Sequence, residues 1–200
     1  MNAERVDGRT LRHQHRRPEL LAAATEYVLD HGIGEVSLRP IAQALGVTHA
    51  TLLRHFSSKD ELLLQVLEKI HADFRERLRS DDELRGADSA STFVQVVWHR
   101  LCDPREQRQF VLLFELVGRT AREPDRGGRI VQSIVNDWLM PIEERLMRDG
   151  WLPDDASIMA TLILAQVRGL QLDLVMTGDH DRVDRAFAST VDLVTRPGVR

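Results

Sequence analysis

The side chains most able to perform chemistry are eight histidines and one cysteine, and their spacing decides whether they form a catalytic or metal site. His99 and Cys102 lie three residues apart, and His49 and His55 flank one short segment. Neither pair has the converging spacing of a metal signature, and the sequence contains no nucleophile motif and no phosphate-binding glycine loop. Helical periodicity alone often brings such pairs together. We therefore predict no enzyme activity, no cofactor and no metal site.

Residues 37–56, SLRPIAQALGVTHATLLRHF, carry a second set of polar side chains, whose spacing suits contact with nucleic acid. Gly46 divides the segment into two short helices and permits the left-handed backbone of a tight turn. Such a pair can place its second helix in the major groove of DNA, where hydroxyl, imidazole and guanidinium groups reach phosphates and base edges. A short polar hairpin with a solvated face is the alternative that this segment alone leaves open. The residues expected on or near the exposed side of the second helix are Thr48, His49, Ala50, Thr51, Arg54 and His55.

Positive charge is concentrated at the start of the chain, although the formal net charge is -4. Residues 1–60 carry eight Lys and Arg against seven Asp and Glu, whereas the remaining residues carry 19 against 24. This asymmetry suggests an anionic partner for the N-terminal part only. We expect residues 1–17 to form a flexible basic arm. Its Arg12, Arg16 and Arg17 either enter an adjacent minor groove or belong to a solvated tail.

Helical periodicity runs through almost the whole chain, and no segment alternates with period two for long enough to form a strand. We predict helices at residues 18–29, 38–45 and 50–55, the last two with Ser37 and Thr48 as N-caps. A long fourth helix opens at residues 57–61, and its apolar stripe extends to Leu78. Beyond a polar boundary at residues 81–88, helices are expected at 89–101, 105–122, 130–148, 154–177 and 181–195. Pro141 should kink or split the third of these, and the chain is predicted to be all-α.

Residues 18–67 resemble the DNA-binding domain of the TetR family of bacterial regulators. The resemblance rests on PELLAAATEYVLDHG, VSLRPIAQALGV, THATLLRHF and SSKDELL, and the run LLRHFSSKDEL is its most specific part. It implies a three-helix helix-turn-helix domain at residues 18–64, after the arm at 1–17. The long fourth helix would join this domain to a C-terminal helical bundle within residues 65–200, which senses a ligand and forms a homodimer.

The resemblance also assigns roles to single residues. Thr48, His49, Ala50 and Thr51 stand where members of the family touch bases and phosphates, and Lys59 stands where the family's lysine contacts a phosphate. Arg39, near the start of the second helix, is a further expected contact. The sequence departs from the family pattern at two positions, because Ala50 replaces the usual glycine and Leu53 replaces the usual tyrosine or tryptophan. Leu53 cannot form a hydrogen bond, so we expect it to pack against a sugar or a thymine methyl group.

The helix predicted at residues 154–177 is apolar nearly all round, so it must bury two faces, one in its own core and one against another surface. A homodimer explains the second face, and the resemblance implies that the last two helices pair with those of a second subunit. Ala160, Ala165 and Gly169 permit close helix approach. Phe187, Val191 and Val194 give the last helix a matching stripe. A two-fold dimer would place two recognition helices about 34–36 Å apart on a palindromic operator.

The ligand pocket is expected among apolar and internal polar side chains of the C-terminal half. Most of these apolar residues would be ordinary core, and Arg168 is expected to pair with Asp173. A mainly apolar pocket favours a hydrophobic or aromatic effector, whose binding shifts the population away from the DNA-binding geometry. The predicted ligand-binding residues are Trp98, Cys102, Phe110, Phe114, Trp138, Gln166 and Asp173.

Composition and hydropathy are those of an ordinary cytoplasmic protein, with 42% hydrophobic and 29% charged residues. No uninterrupted apolar run approaches the roughly 18 residues that cross a bilayer, and the single cysteine fits a reducing compartment. The expected partners are double-stranded DNA, a second copy of the chain and a small-molecule effector. We expect no interaction with a membrane. Repression is the usual outcome in the family. The alternative is a DNA-binding or interaction module without an effector, which predicts a collapsed bundle with no internal cavity.

Overall fold

The structure, a computed structural model, describes residues 8–32, 37–120 and 128–194. Within these ranges the chain is helical and has no strand, which confirms the all-α prediction. It divides into two compact units, an N-terminal unit that extends to Asp73 and a C-terminal unit that starts at Phe74. The helices are α1 (Gly8–His31), α2 (Leu38–Ala44), α3 (His49–Phe56), α4 (Lys59–Ser80), α5 (Asp82–Arg85), α6 (Ala90–Leu101), α7 (Pro104–Thr120), α8 (Gly128–Arg148), α9 (Pro153–Thr177) and α10 (His180–Val194).

The N-terminal unit has a core built from one apolar stripe on each of its helices. Side chains spaced by three or four residues lie on one face of a helix and can be buried together. The predicted stripe of α4 is buried from Leu62 to Ile70, and the recognition segment contributes Leu52 and Phe56, neither of which is exposed at all. The fully buried residues of this unit are Ala24, Val28, Ile41, Leu52, Phe56, Leu62 and Val66.

The first helix begins earlier than predicted. It starts at Gly8 and continues through Pro18, so residues 8–17 are helical rather than part of a flexible arm. These residues include several arginines and a glutamine, which have high helix propensity, and α1 continues through the exposed Pro18, about three turns after its first residue. The first seven residues and the side chain of Arg12 lie outside the described part of the chain.

A short helix, α5, occupies the polar boundary predicted at residues 81–88. The side chain of Asp81 accepts hydrogen bonds from the backbone N–H groups of Glu83 and Leu84, so it acts as the N-cap of this turn. Leu84 is buried, whereas the residues around it are polar and exposed. One apolar position in four residues gives no detectable period, which is why the helix was not predicted.

The C-terminal unit is held together by α6, α8, α9 and α10 around Trp98, which is 2% exposed. The indole Nε1–H of Trp98 donates to Asp184 Oδ1 at 2.8 Å, and its ring stacks on Phe187 with 4.6 Å between centroids. Leu146 is completely buried in the same core. Pro141 does not split α8, which runs unbroken from Gly128 to Arg148.

The longest helix, α9, is also the most hydrophobic, and an 18-residue window of it has a mean hydropathy of 1.4. By length and composition alone this helix could cross a membrane, although it has no uninterrupted apolar run of that length, because the mean hydropathy of a window also averages over polar and charged side chains. A core helix passes the same test. One face of α9 packs against α8 and α10, with Ala160, Ile163 and Leu174 buried there.

We expect Trp98→Phe to lower the free energy of unfolding by about 2 kcal/mol, because a hydrogen bond to a charged group contributes about 1.5–3 kcal/mol. Phenylalanine keeps a ring that can stack on Phe187. Asp184→Asn, which retains an acceptor oxygen, should cost less. Urea unfolding followed by circular dichroism measures both, and a wild-type unfolding midpoint for Trp98→Phe would contradict this role.

Candidate functional site

The turn between α2 and α3 is built as the sequence predicts. Gly46 has a φ of 63°, the left-handed region in which a side chain is strained. Its N–H donates to the carbonyl of Gln43 at 3.1 Å, and the N–H of Val47 donates to the carbonyl of Ala42 at 2.9 Å. These bonds satisfy the carbonyl groups that the end of α2 leaves free. The turn therefore closes within a few residues and presents α3 at a fixed angle to α2.

Thr48 is the N-cap of α3, as predicted. Its hydroxyl accepts a hydrogen bond from the backbone N–H of Thr51 at 3.1 Å and lies 2.9 Å from the hydroxyl of Thr51. Ser37 stands at the corresponding position of α2, but its side chain forms no capping bond. The cap leaves other backbone N–H groups at the start of α3 available, and such groups bind phosphate readily.

Most of the predicted DNA-binding residues are exposed on the N-terminal unit. α3 turns Leu52 and Phe56 into the core, so the opposite face carries the remaining side chains. Thr51 and Lys59 are half-buried, and His55 is half-buried beside the Phe56 ring, at 6.3 Å between centroids. The exposed members of the predicted set are Arg39, Thr48, His49, Ala50, Leu53 and Arg54.

The link from α3 to α4 is short and places Lys59 close to the end of α3 in the sequence. Ser57 has a positive φ of 52°, which a non-glycine residue rarely adopts. Ser58 then caps α4, because its hydroxyl accepts from the N–H of Glu61 at 3.1 Å. Lys59, the first residue of α4, thus follows α3 after two residues.

Arg17, expected in a flexible basic arm, has partners within its own unit. Its guanidinium lies 3.4 Å from a carboxylate oxygen of Glu61 and 5.6 Å from the centre of the Phe56 ring. These contacts connect α1 to α3 and α4. They were not predictable, because they join residues more than thirty positions apart. Arg16, one residue earlier, is exposed.

The C-terminal unit contains a cavity of about 260 Å³ among α7, α8 and α9. Two of the predicted ligand-binding residues, Phe110 and Phe114, line it, and their rings are 5.3 Å apart. Helical periodicity does not distinguish the other apolar wall positions, since an apolar residue at a cavity has the same period as one in the core. The lining residues are Phe110, Leu113, Phe114, Val117, Ile134, Val135, Arg168, Gly169 and Leu172.

The other aromatic and sulfur side chains predicted to bind ligand lie elsewhere. Trp98 belongs to the core, and Trp138 packs on Phe74 beside a space of only about 10 Å³. Cys102 ends α6, where burial and the negative charge of Asp184 raise the pKa of its thiol to about 11. That thiol is therefore protonated at neutral pH.

The two predicted polar ligands on α9 are also absent from the cavity. Gln166 is exposed. Asp173 binds Arg182 through two hydrogen bonds of 2.6 and 2.8 Å, and the Arg182 guanidinium lowers the pKa of the Asp173 carboxyl. The expected pair of Asp173 with Arg168 is therefore wrong. The true partner comes from α10, across the turn at Gly178, where φ is 66°.

α9 also has an exposed face that is largely apolar. Ile158 is 61% exposed, Leu162 is 51% exposed and Met176 is 75% exposed. Ala165 and Gly169 lie between them, at helical spacing and also exposed. We call these five residues the α9 stripe. The predicted stripe of α10 is not exposed in this way, because Phe187 and Val191 are buried within their own unit. The side chain of Val194 lies outside the part of the chain that the structure describes.

Comparison with known proteins connects this arrangement to a family. Residues 20–66 match the family described as bacterial regulatory proteins, tetR family. The HTH-type transcriptional activator FasR of Mycolicibacterium smegmatis is 33% identical over 115 residues, 54% of this chain and 49% of FasR, so the chain spans about half of that relative. The HTH-type transcriptional regulator CymR of Pseudomonas putida is 27% identical over 186 residues, 88% of this chain and 87% of CymR.

A solved structure extends the likeness in fold to most of the chain. A transcriptional regulator from Rhodococcus sp. Rha1 superimposes with a TM-score of 0.76 at 21% identity, and the match covers 89% of this chain and 95% of that one. The predicted helix-turn-helix and C-terminal helical domain are thus both found in a known regulator fold. Residues 20–66 thus match the DNA-binding domain of the TetR family of bacterial regulators, and most of the chain shares its fold with a solved regulator.

Proposed function

We propose that the protein is a cytoplasmic, homodimeric repressor that binds a palindromic operator through α3 and is released by a small, largely apolar effector. The observation that carries the proposal is the exposed face of α3, held by the Gly46 turn and the Thr48 cap. A helix fixed in this way can enter a major groove with its first residues against the bases. Arg39 and Lys59 stand on either side of it in the sequence and supply positive charge for phosphates.

Burial supports the division of roles among the proposed DNA contacts. His49 and Arg54 are exposed and long enough to reach base edges, whereas Ala50 and Leu53 offer only apolar contact. The hydroxyls of Thr48 and Thr51 pair with each other in the free protein, and either one can donate to a phosphate instead. We assign Lys59 and Thr51 to phosphates because phosphate contacts set the register of the helix on DNA.

The α9 stripe supports the homodimer. Ile158 and Leu162 expose large apolar side chains, and the small Ala165 and Gly169 next to them would let a second helix approach closely. A two-fold axis pairs the α9 stripe of one subunit with the same stripe of the second subunit, as symmetric dimers require. The contribution of α10 would come from its exposed side, since Phe187 and Val191 already serve the core of their own unit.

The cavity supports an effector, because a DNA-binding module without one would have a collapsed bundle. Its walls come from α7 and α8 as well as α9, and the end of α4 is ion-paired to the first two of these helices. Arg77 lies 2.6 Å from Glu106 of α7, and Arg75 lies 2.8 Å from Asp137 of α8. A ligand that changes the spacing of α7 and α8 would therefore act on the end of α4. Operator affinity falls if the geometry favoured by the ligand differs from the geometry that DNA selects.

Selection from a genomic fragment library tests operator binding. We expect one short palindrome to be retained at moderate and at higher salt. Lys59→Ala should weaken binding to all fragments and reduce the slope of log affinity against log salt by about 1, because one phosphate contact is lost.

Lys69→Ala is the matched control, since it removes the same charge from α4 at a lysine that is 2.9 Å from Asp73. It should leave the salt slope unchanged. Retention of every fragment at low salt and none at high salt would instead mean charge-driven binding without an operator, and would contradict the proposal.

The dimer is tested by Leu162→Glu, which should convert a sedimenting dimer to a monomer because an unpaired charge cannot be buried cheaply in an interface. Met140→Glu is the control, because Met140 is 58% exposed on α8, outside the α9 stripe. A wild-type monomer, or a Leu162→Glu protein that still sediments as a dimer, would refute this interface.

A further inference from the structure

One charged side chain, Arg168, stands in the otherwise apolar wall of the cavity. It lies on α9 between Val167, which is buried, and Gly169, which also borders the cavity. The side chain is half-buried. A guanidinium withdrawn from water costs free energy unless an anion or several acceptors surround it. An arginine in such a wall therefore suggests that an anion completes its surroundings.

No residue that the structure describes supplies that anion. The nearest acid of α9, Asp173, is held by Arg182 through both of its oxygens. Arg168 has no hydrogen bond or ion pair with any described residue, and burial alone lowers its pKa from the usual value, without an acid that would raise it. An arginine remains charged under such a shift, because its ordinary pKa lies far above neutral pH.

We propose that the cavity binds a small amphipathic carboxylate, with the carboxylate on Arg168 and the apolar body against Phe110, Phe114 and Leu172. This rests on the proposed role of the cavity as the effector site and adds the chemical class of the effector. The planar guanidinium matches a carboxylate with two parallel hydrogen bonds. A single cation fits a monoanion, whereas a phosphate ester with two charges would require further donors that this apolar wall does not offer. The volume of about 260 Å³ suits a small ligand.

Isothermal titration calorimetry on the intact protein tests the proposal with matched pairs of probes. The acids are octanoate and 3-phenylpropanoate, and the uncharged partners are octan-1-ol and 3-phenylpropan-1-ol. We expect at least one acid to bind about 10- to 100-fold more tightly than its alcohol, the range for a charge-assisted hydrogen bond. Arg168→Gln should remove that advantage and leave the affinity for the alcohol unchanged.

Two further variants separate the charge from the cavity. Arg108→Gln removes an exposed arginine of α7 that does not line the cavity, so it should leave all affinities unchanged. Val135→Phe places a larger side chain in the wall and should weaken the binding of acid and alcohol alike. Thermal unfolding of each variant confirms that it is folded before its affinity is compared.

The possible failures are distinguishable. If acid and alcohol bind equally, or if Arg168→Gln leaves the affinity for acid unchanged while Val135→Phe weakens both, the carboxylate assignment is overturned and the effector cavity remains. If no probe binds the wild-type protein at millimolar concentration, the carboxylate assignment falls, and the proposed effector site loses its support as well.

Discussion

The constraint on which the C-terminal unit depends is that α9 carries more apolar surface than its own unit can cover. Ala160, Ile163 and Leu174 fill the core, yet Ile158 and Leu162 remain exposed. Each square ångström of apolar surface removed from water contributes about 25 cal/mol, so such a helix gains from covering its other faces too. Two features border the uncovered part and meet at Gly169, the α9 stripe and the cavity that Arg168 and Leu172 also line. A second subunit and an amphipathic ligand would each satisfy one of them.

In the N-terminal unit the constraint is local, because a short helix must be held at a fixed angle while one face stays free. α3 has only eight residues and could not persist alone in water. Leu52 and Phe56 anchor it in the core, the Thr48 cap secures its start, and the Gly46 turn fixes its relation to α2. Each of these devices uses the buried side or the ends of the helix. The free face can therefore vary its contacts, as at Ala50 and Leu53, without a cost in folding.

How much could be predicted from the sequence also differs between the two units. The helix-turn-helix was predictable because Gly46 and Thr48 act within a few residues of themselves. The residues that line the cavity were not, because their surroundings depend on contacts between distant segments. Trp98 is a core residue only because Asp184, 86 positions later, accepts its hydrogen bond. Likewise Asp173 is withdrawn from the cavity by Arg182 of the next helix. An apolar period identifies a buried face, but it cannot tell whether that face meets another side chain or an empty space.

We propose that a ligand in the C-terminal unit controls DNA binding by the N-terminal unit. The dissociation constant for the selected operator tests this coupling when it is measured with and without a ligand already shown by calorimetry to saturate the cavity. In the wild-type protein the ligand should weaken operator binding by about 5- to 150-fold, the usual range of allosteric coupling. In Val135→Phe, at the same ligand concentration, operator affinity should not change. A wild-type protein that binds ligand and operator together, each with undiminished affinity, would contradict the account.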